Sequence, residues 1–213
     1  IKAARRWAYN TKKVEINKAE IIIAEGNFHG RTTTIISFST DNESKEGFGP
    51  YTPGFVTIKY GNIDSLKNAI TKNTAAVLVE PIQGEAGIII PDSKWLSEVR
   101  EICTEKNVLL ILDEIQSGLG RTGKMFAYEH SSIKPDGLIL GKALGGGLLP
   151  VSCFLSTKEV MQWLVPGSHG STFGGNPLAA AIGKRSLEVI EEDKLVENSN
   201  QQGSYFLEEL KKI

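Results

Sequence analysis

Two polar residues follow apolar segments at positions where a parallel sheet would expose them. Asp113 ends the segment Leu110–Asp113, and Lys142 follows the apolar segment Gly137–Leu140 after one glycine. Both segments are predicted strands, so the carboxylate and the amine are expected at the carboxyl edge of a sheet, where open α/β sheets bind their ligands. The glycines beside Lys142 leave room for a flat ring near the backbone.

Together these two residues suit one kind of chemistry. A partly desolvated lysine amine can form a Schiff base, and an aspartate can keep a pyridine nitrogen protonated. Pyridoxal phosphate needs this pair, because its charged ring takes up electrons when a proton leaves the substrate. The freed Lys142 amine can then move that proton as general base and acid. Taken singly, Asp113 could instead cap a helix or face solvent, and Lys142 could be a solvated strand-end lysine.

Two glycine-rich segments invite other interpretations. Gly118–Lys124 matches the dinucleotide and P-loop patterns, but Met125 stands where a P-loop needs Ser or Thr, and Asp113–Ser117 separates the glycines from the strand. A glycine-rich turn is the simpler interpretation, and a nucleotide site is the alternative. Ser168–Pro177 fits an anion-binding loop before a helix, or a loop that caps its own helix.

Alternating β-rich runs and amphipathic stretches predict an α/β fold, a mostly parallel central sheet with helices on both faces. The predicted strands are Glu20–Ala24, Ile35–Ser39, Phe55–Ile58, Ala75–Val79, Val108–Leu112, Gly137–Leu140 and Val151–Ser156. The predicted helices are Ile1–Tyr9, Asp64–Ile70, Asp92–Lys106 with Ser93 as its cap, Pro177–Glu192 and Leu195–Ile213. Asp41–Pro53 is a predicted loop.

Composition narrows the class of protein. The chain has 213 residues, 40% of them hydrophobic, and a net charge of −1, which favours one sizeable domain without a nucleic-acid or membrane surface. Two cysteines make no disulfide framework, so a reducing compartment is expected: the cytoplasm, with the mitochondrial matrix as the alternative. The three histidines lack metal-ligand spacing, and we assign no metal.

The motifs resemble the class III aminotransferases of fold type I, in order and at the family's spacing over essentially the whole chain. The matching segments are Asn27–Thr32, Phe48–Pro50, Val79–Gly87, Asp113–Gly118, Gly120–Gly123, Gly141–Leu144 and Gly170–Pro177. The resemblance implies that residues 1–213 are most of a large domain that binds pyridoxal 5'-phosphate. An N-terminal segment and a C-terminal small domain are expected to be missing, so these residues alone are not expected to turn over.

The resemblance assigns the cofactor to particular residues. Lys142 and Asp113 are implied as catalytic, with Lys142 bonded to the cofactor and Asp113 paired with its ring nitrogen. Gln116 is implied near the ring's phenolic oxygen, and Phe28 on the ring face. Without the resemblance, Phe28 could be an ordinary core residue.

Further roles concern the substrate and a second subunit. Ser171 and Thr172 are implied as cofactor-binding, with Thr172 reaching the phosphate in the neighbouring subunit, so a homodimer is expected. Arg31 is implied to bind a substrate carboxylate, Glu85 to neutralise a second arginine, and Glu80 to shape the pocket. Without the resemblance, Arg31 could form a surface ion pair and Glu80 could simply end its strand.

The implied activity is transfer of the ω-amino group of ornithine to 2-oxoglutarate, giving glutamate semialdehyde and glutamate. Arg5–Tyr9 and Gly141–Gly147 favour ornithine as the amino donor, whereas Met125–His130 is closer to members that act on acetylornithine. Acetylornithine or 4-aminobutyrate as donor remains the alternative. A different kind of alternative is a non-catalytic truncated homologue that serves as a binding partner.

Overall fold

The computed structural model describes residues 1–213 and contains one six-stranded sheet. Its strands are β1 (Glu20–Ala24), β2 (Phe55–Ile58), β3 (Thr74–Val79), β4 (Leu109–Asp113), β5 (Gly137–Leu140) and β6 (Cys153–Ser156). The strand order is β2-β1-β3-β4-β5-β6, and all neighbours are parallel except β5 and β6. The predicted mostly parallel sheet is confirmed.

Helices cover both faces of this sheet. They are α1 (Lys2–Trp7), α2 (Thr33–Ile36), α3 (Ile63–Ala69), α4 (Trp95–Glu105), α5 (Lys158–Met161), α6 (Pro177–Glu192) and α7 (Leu195–Leu210). Side chains of β4 alternate between two apolar clusters, because successive residues of a strand point to opposite faces. Leu110 and Leu112 pack with Trp95 on one face, and Leu109 and Ile111 pack with Trp7 on the other. None of the helices has the length and apolar character needed to span a membrane.

One predicted strand is wrong. Ile35–Ser39 was expected to be extended, but Thr33–Ile36 forms a single helical turn and the rest of the segment belongs to no strand. Ile36 and Phe38 are buried all the same. Their β-forming residue types therefore reflect packing onto the sheet and not membership in it, since strand propensity depends on context.

The helix starts give one correct and one incorrect prediction. Helix α6 begins at Pro177 as predicted, and the Asn176 side chain accepts a backbone N–H of its first turn at 2.8 Å. Ser93 does not cap α4, which begins at Trp95. The carboxylate of Asp92 instead accepts the second backbone N–H after it at 2.9 Å, so Asp92 shapes the turn that leads into the helix.

The strand order identifies the edge where a ligand would bind. From β1 the chain first adds β2 on one side and then adds β3, β4 and β5 on the other. Such a change of direction opens a crevice at the carboxyl ends of the strands. Residues that follow β1, β3, β4 and β5 therefore come together along one edge.

Candidate active site

Asp113 is the last residue of β4, and 5% of its side chain is exposed. Its Oδ1 accepts the backbone N–H of Ile115 at 3.0 Å, and its Oδ2 lies 2.7 Å from Nδ1 of His29. A carboxylate that accepts hydrogen bonds on both oxygens is held in one orientation, and each oxygen still has a lone pair for a ligand. Asp113 thus neither caps a helix nor faces solvent.

Glu80 directly follows β3 and is buried in the same place. Its Oε2 accepts the backbone N–H of Phe28 at 3.1 Å, which connects the segment after β1 to the end of β3. Burial raises the pKa of Glu80 to about 7, and His29 opposes part of that rise. The carboxyl group therefore changes its charge near neutral pH.

We expect Glu80→Gln to stabilise the protein at alkaline pH. The folded state holds the Glu80 proton up to about pH 7, whereas an unfolded chain releases it near 4.5, so wild-type stability should fall between these values. The glutamine keeps an acceptor for Phe28 and has no charge to bury. The free energy of unfolding should rise by about 1–2 kcal/mol at about pH 8 and change little at about pH 5.

Urea unfolding of the cofactor-free protein across this pH range measures the effect. Glu105→Gln is the control, because Glu105 is exposed on α4 and its carboxylate is hydrogen-bonded to the exposed Lys106. Stability curves of wild type and Glu80→Gln that run parallel at every pH would contradict the expectation.

Lys142 follows Gly141 at the end of β5 and begins a short 3₁₀ turn, Lys142–Gly145. Its φ is 43°, a left-handed conformation that is strained for a residue with a side chain and that persists mainly at functional sites. The side chain is 52% exposed, and Nζ lies 3.9 Å from Oε1 of Glu85. The Lys142 amine is therefore in contact with solvent, and the residues of this chain do not provide the desolvation predicted from the sequence.

Gln116 lies in the turns after β4, directly against Gly84 in the turns after β3. A Cβ atom on residue 84 would overlap the amide oxygen of Gln116. The Gln116 amide therefore lies directly over the Gly84 backbone and occupies the space that a side chain at residue 84 would need.

A cavity of about 170 Å³ lies among these residues. It is lined by Phe28, His29, Gly30, Glu80, Ile82, Asp113, Ile115, Gln116 and Lys142. A more open cavity of about 550 Å³ shares part of this lining, including Gln116 and Lys142, and adds Glu85. The chemistry of the lining fits pyridoxal phosphate: a buried carboxylate for a ring nitrogen, an amine for an aldehyde and the aromatic Phe28 for a flat ring.

Comparison with known proteins decides the family. A model of the aminotransferase class-III family matches residues 1–213. The chain belongs to the class III aminotransferases. It is 56% identical over 213 residues to the ornithine aminotransferase of Brevibacillus brevis, of which it covers 53%. The chain thus spans about half the length of the curated relatives it matches.

Solved structures confirm the fold predicted for this class III chain. An ornithine aminotransferase from Toxoplasma gondii, described with partial occupancy of pyridoxal phosphate at its active site, is 44% identical with a TM-score of 0.97. The match covers 99% of this chain and 50% of the Toxoplasma chain. An acetylornithine aminotransferase from Elizabethkingia anophelis is 48% identical with a TM-score of 0.86. The match covers 99% of this chain and 52% of the Elizabethkingia chain.

Three predicted site residues of this class III chain line neither of the two cavities. Ser171 and Thr172 are exposed in the loop before α6. The guanidinium group of Arg31 donates to the Ser44 hydroxyl at 3.3 Å and lies 5.7 Å from the ring centre of Phe28. The roles of these three residues toward a phosphate or a substrate stay predictions.

Gly118–Lys124 has a local structural role. It consists of turns and bends that lead into a 3₁₀ turn, Ala127–Ser131, so it is not a strand-to-helix phosphate loop. The buried Glu114 accepts the backbone N–H groups of Ala127 and Tyr128 at 2.7 and 2.9 Å. The Glu114 carboxylate therefore holds the start of the 3₁₀ turn that follows this segment next to the end of β4.

His29 lines the cavity but is not among the predicted site residues. It lacks metal-ligand spacing, and 84 positions separate it from Asp113. The signal that could have indicated it is its place beside Phe28 after β1, because β1 ends at the same edge of the sheet as β4.

Proposed function

We propose that the complete protein containing this chain is a pyridoxal-phosphate-dependent aminotransferase. It transfers the ω-amino group of ornithine to 2-oxoglutarate and gives glutamate semialdehyde and glutamate. The observation that carries this proposal is the presence of Asp113, Lys142, Phe28 and Gln116 around one cavity at the carboxyl edge of the sheet. The 56% identity to an ornithine aminotransferase supports ornithine as the donor.

Each cavity residue has one task in this proposal. Bound pyridoxal phosphate supplies an electron sink for the charge left when a proton leaves the substrate. Asp113 holds the positive charge of the ring nitrogen, and Nζ of Lys142 is the covalent anchor. Once the substrate amine releases it, Nζ accepts and returns a proton as general base and acid. Phe28 covers a ring face, and Gln116 donates to the ring oxygen.

Three residues are proposed to select the substrate. Arg31 binds a carboxylate through its guanidinium fork. Glu85 lies near Lys142, attracts a cationic amino donor and pairs with an arginine outside this chain when the donor has only one carboxylate. Glu80 limits the cavity on the side of Phe28.

Reductive labelling tests the cofactor and its anchor together. The complete protein is loaded with pyridoxal phosphate and reduced with borohydride, which makes the bond to an amine permanent, and its peptides are mapped by mass. We expect one adduct, on Lys142. Labels scattered over other lysines, with Lys142 unmodified, would refute the proposal.

A donor panel tests the substrate. Labelling of Lys142 identifies the cofactor anchor but not the amino donor. Ornithine, acetylornithine and 4-aminobutyrate are therefore compared by kcat/KM, with 2-oxoglutarate as acceptor. Ornithine should give the highest value. A higher value for acetylornithine would assign the protein to the activity named for the Elizabethkingia neighbour.

We also propose that the protein is a homodimer in the cytoplasm. Large apolar side chains are exposed in several loops: Phe48, Ile88, Ile90, Leu148 and Phe173. A subunit interface would cover exposed apolar side chains of this size. Both cysteines are free, which suits a reducing compartment.

Mixed dimers test whether Thr172 serves the partner's cofactor. One subunit carries Lys142→Ala and the other Thr172→Asp, which places a negative charge against the phosphate. Each variant alone should be inactive. In the mixed dimer one site has an intact Lys142 and receives an intact Thr172 from its partner, so about half of the wild-type activity should return. Mixed dimers purified by two tags and as inactive as their parents would place Thr172 in its own subunit's site.

A further inference from the structure

His29 has a single polar contact in the structure, and that contact is Asp113. Nδ1 of His29 lies 2.7 Å from Oδ2 of Asp113, while Nε2 is buried without a hydrogen-bond partner. The two side chains are 2% and 5% exposed. The imidazole also packs against the buried ring of Phe38, with 6.0 Å between ring centroids. The histidine is therefore fixed by packing and directed at one acceptor.

Two acidic side chains share the cavity that His29 lines. Glu80 follows β3 and Asp113 ends the neighbouring strand β4, and the charge of Asp113 adds to the burial that raises the pKa of Glu80. Glu80 accepts one backbone N–H, from Phe28. Asp113 accepts the N–H of Ile115 and faces the imidazole as well. The hydrogen bonds therefore favour the charged form of Asp113 over that of Glu80.

The other charged groups around the cavity do not reverse this preference. Lys142, after β5, has its amine 3.9 Å from Glu85, in the loop after β3. Arg31, after β1, donates to Ser44 and lies over Phe28. Neither cation has a hydrogen bond to Glu80 or Asp113.

We propose that His29 is the positioning residue of Asp113: its Nδ1–H donates to that carboxylate and keeps it charged and oriented toward the cofactor ring nitrogen. This inference rests on the proposed function, because it concerns the same cavity. It assigns His29 no contact with the reacting atoms. The histidine acts through Asp113 alone.

The test compares two replacements in the complete protein. His29→Leu removes the donor and keeps an apolar side chain of related size, whereas His29→Asn can present an amide N–H where Nδ1 stood. Each protein is loaded with pyridoxal phosphate labelled with ¹⁵N at the ring nitrogen, whose chemical shift reports protonation directly. The dissociation constant of the cofactor and kcat are measured alongside.

In His29→Leu the ring nitrogen should lose its proton about one pH unit or more below the wild-type value. The kcat should fall about 10- to 100-fold, as expected for loss of a hydrogen bond to a charged group. His29→Asn should recover most of both properties. A folded His29→Leu protein with an unchanged nitrogen titration would overturn the proposal.

A measurement on the wild type decides the matter even if the variants do not fold. The ¹⁵N spectrum of the His29 imidazole should show a protonated Nδ1 at neutral pH, and an unprotonated Nδ1 would overturn the proposal. Failure of the proposed function looks different, because then the wild type takes up no pyridoxal phosphate on Lys142. Normal uptake with unaffected His29 variants would refute this inference alone.

Discussion

In the complete protein, replacing Lys142 with alanine is expected to abolish the proposed transamination while leaving the fold intact. In the proposed function, the change removes both the amine that anchors the cofactor and the group that moves the substrate proton. Because both tasks depend on Nζ, kcat should fall by about 10⁴-fold or more. Small primary amines added to the assay should return part of the lost rate, since they can move a proton without being tethered. Activity with ornithine and 2-oxoglutarate, with and without the amine, is the measurement.

The backbone of residue 142 offers a control for stability. Alanine also has a Cβ atom, so Lys142→Ala keeps the strain of the 43° φ angle, and the melting temperature should stay near the wild-type value. Lys142→Gly relieves that strain and should stabilise the protein by about 1 kcal/mol while being equally inactive. Lys124→Ala, in the glycine-rich segment, should retain full activity. Loss of activity in Lys124→Ala with retention in Lys142→Ala would reverse the assignment.

The sequence was sufficient to predict the edge of the sheet at which Asp113 and Lys142 lie. Both residues end buried apolar runs, and a parallel arrangement brings the ends of such runs to one edge whatever the loops do. The start of α6 was also predictable, because its first residue Pro177 and its cap Asn176 are local signals of a helix N-terminus. Features determined by short stretches of sequence and by strand direction are therefore predictable.

Features that depend on distant contacts were harder to predict, and they were not among the predictions made from the sequence. His29 becomes part of the site only because β1, β3 and β4 are neighbours and its ring packs on Phe38. Phe38 itself belongs to the segment wrongly predicted as a strand, where burial and not pairing explains the residue type. The exposure of Lys142 is likewise a property of the packed loops, and the residue type alone does not reveal it.

Replacing Asp113 with asparagine is expected to reduce kcat by about 10²- to 10³-fold, the size of effect seen when one preorganised electrostatic contact is removed. The amide has nearly the same shape, and its oxygen can still accept the N–H of Ile115. Its NH₂ group then faces Nδ1 of His29, which must become an acceptor. The site keeps its packing but has no negative charge to hold the ring nitrogen positive, so the cofactor should bind more weakly and titrate at lower pH.

A charged cofactor separates this electrostatic explanation from general damage. Pyridoxal phosphate methylated on the ring nitrogen is positive whatever faces it, so it should return part of the activity to Asp113→Asn. Asp136→Asn is the matched control, because Asp136 accepts the N–H of Leu110 and pairs with Arg100, away from the cavity. It should lower the free energy of unfolding and leave the cofactor titration unchanged. If the methylated cofactor gave Asp113→Asn no more activity than the ordinary one, charge at the ring nitrogen would not be what Asp113 supplies, and its buried carboxylate would act through the structure of the pocket.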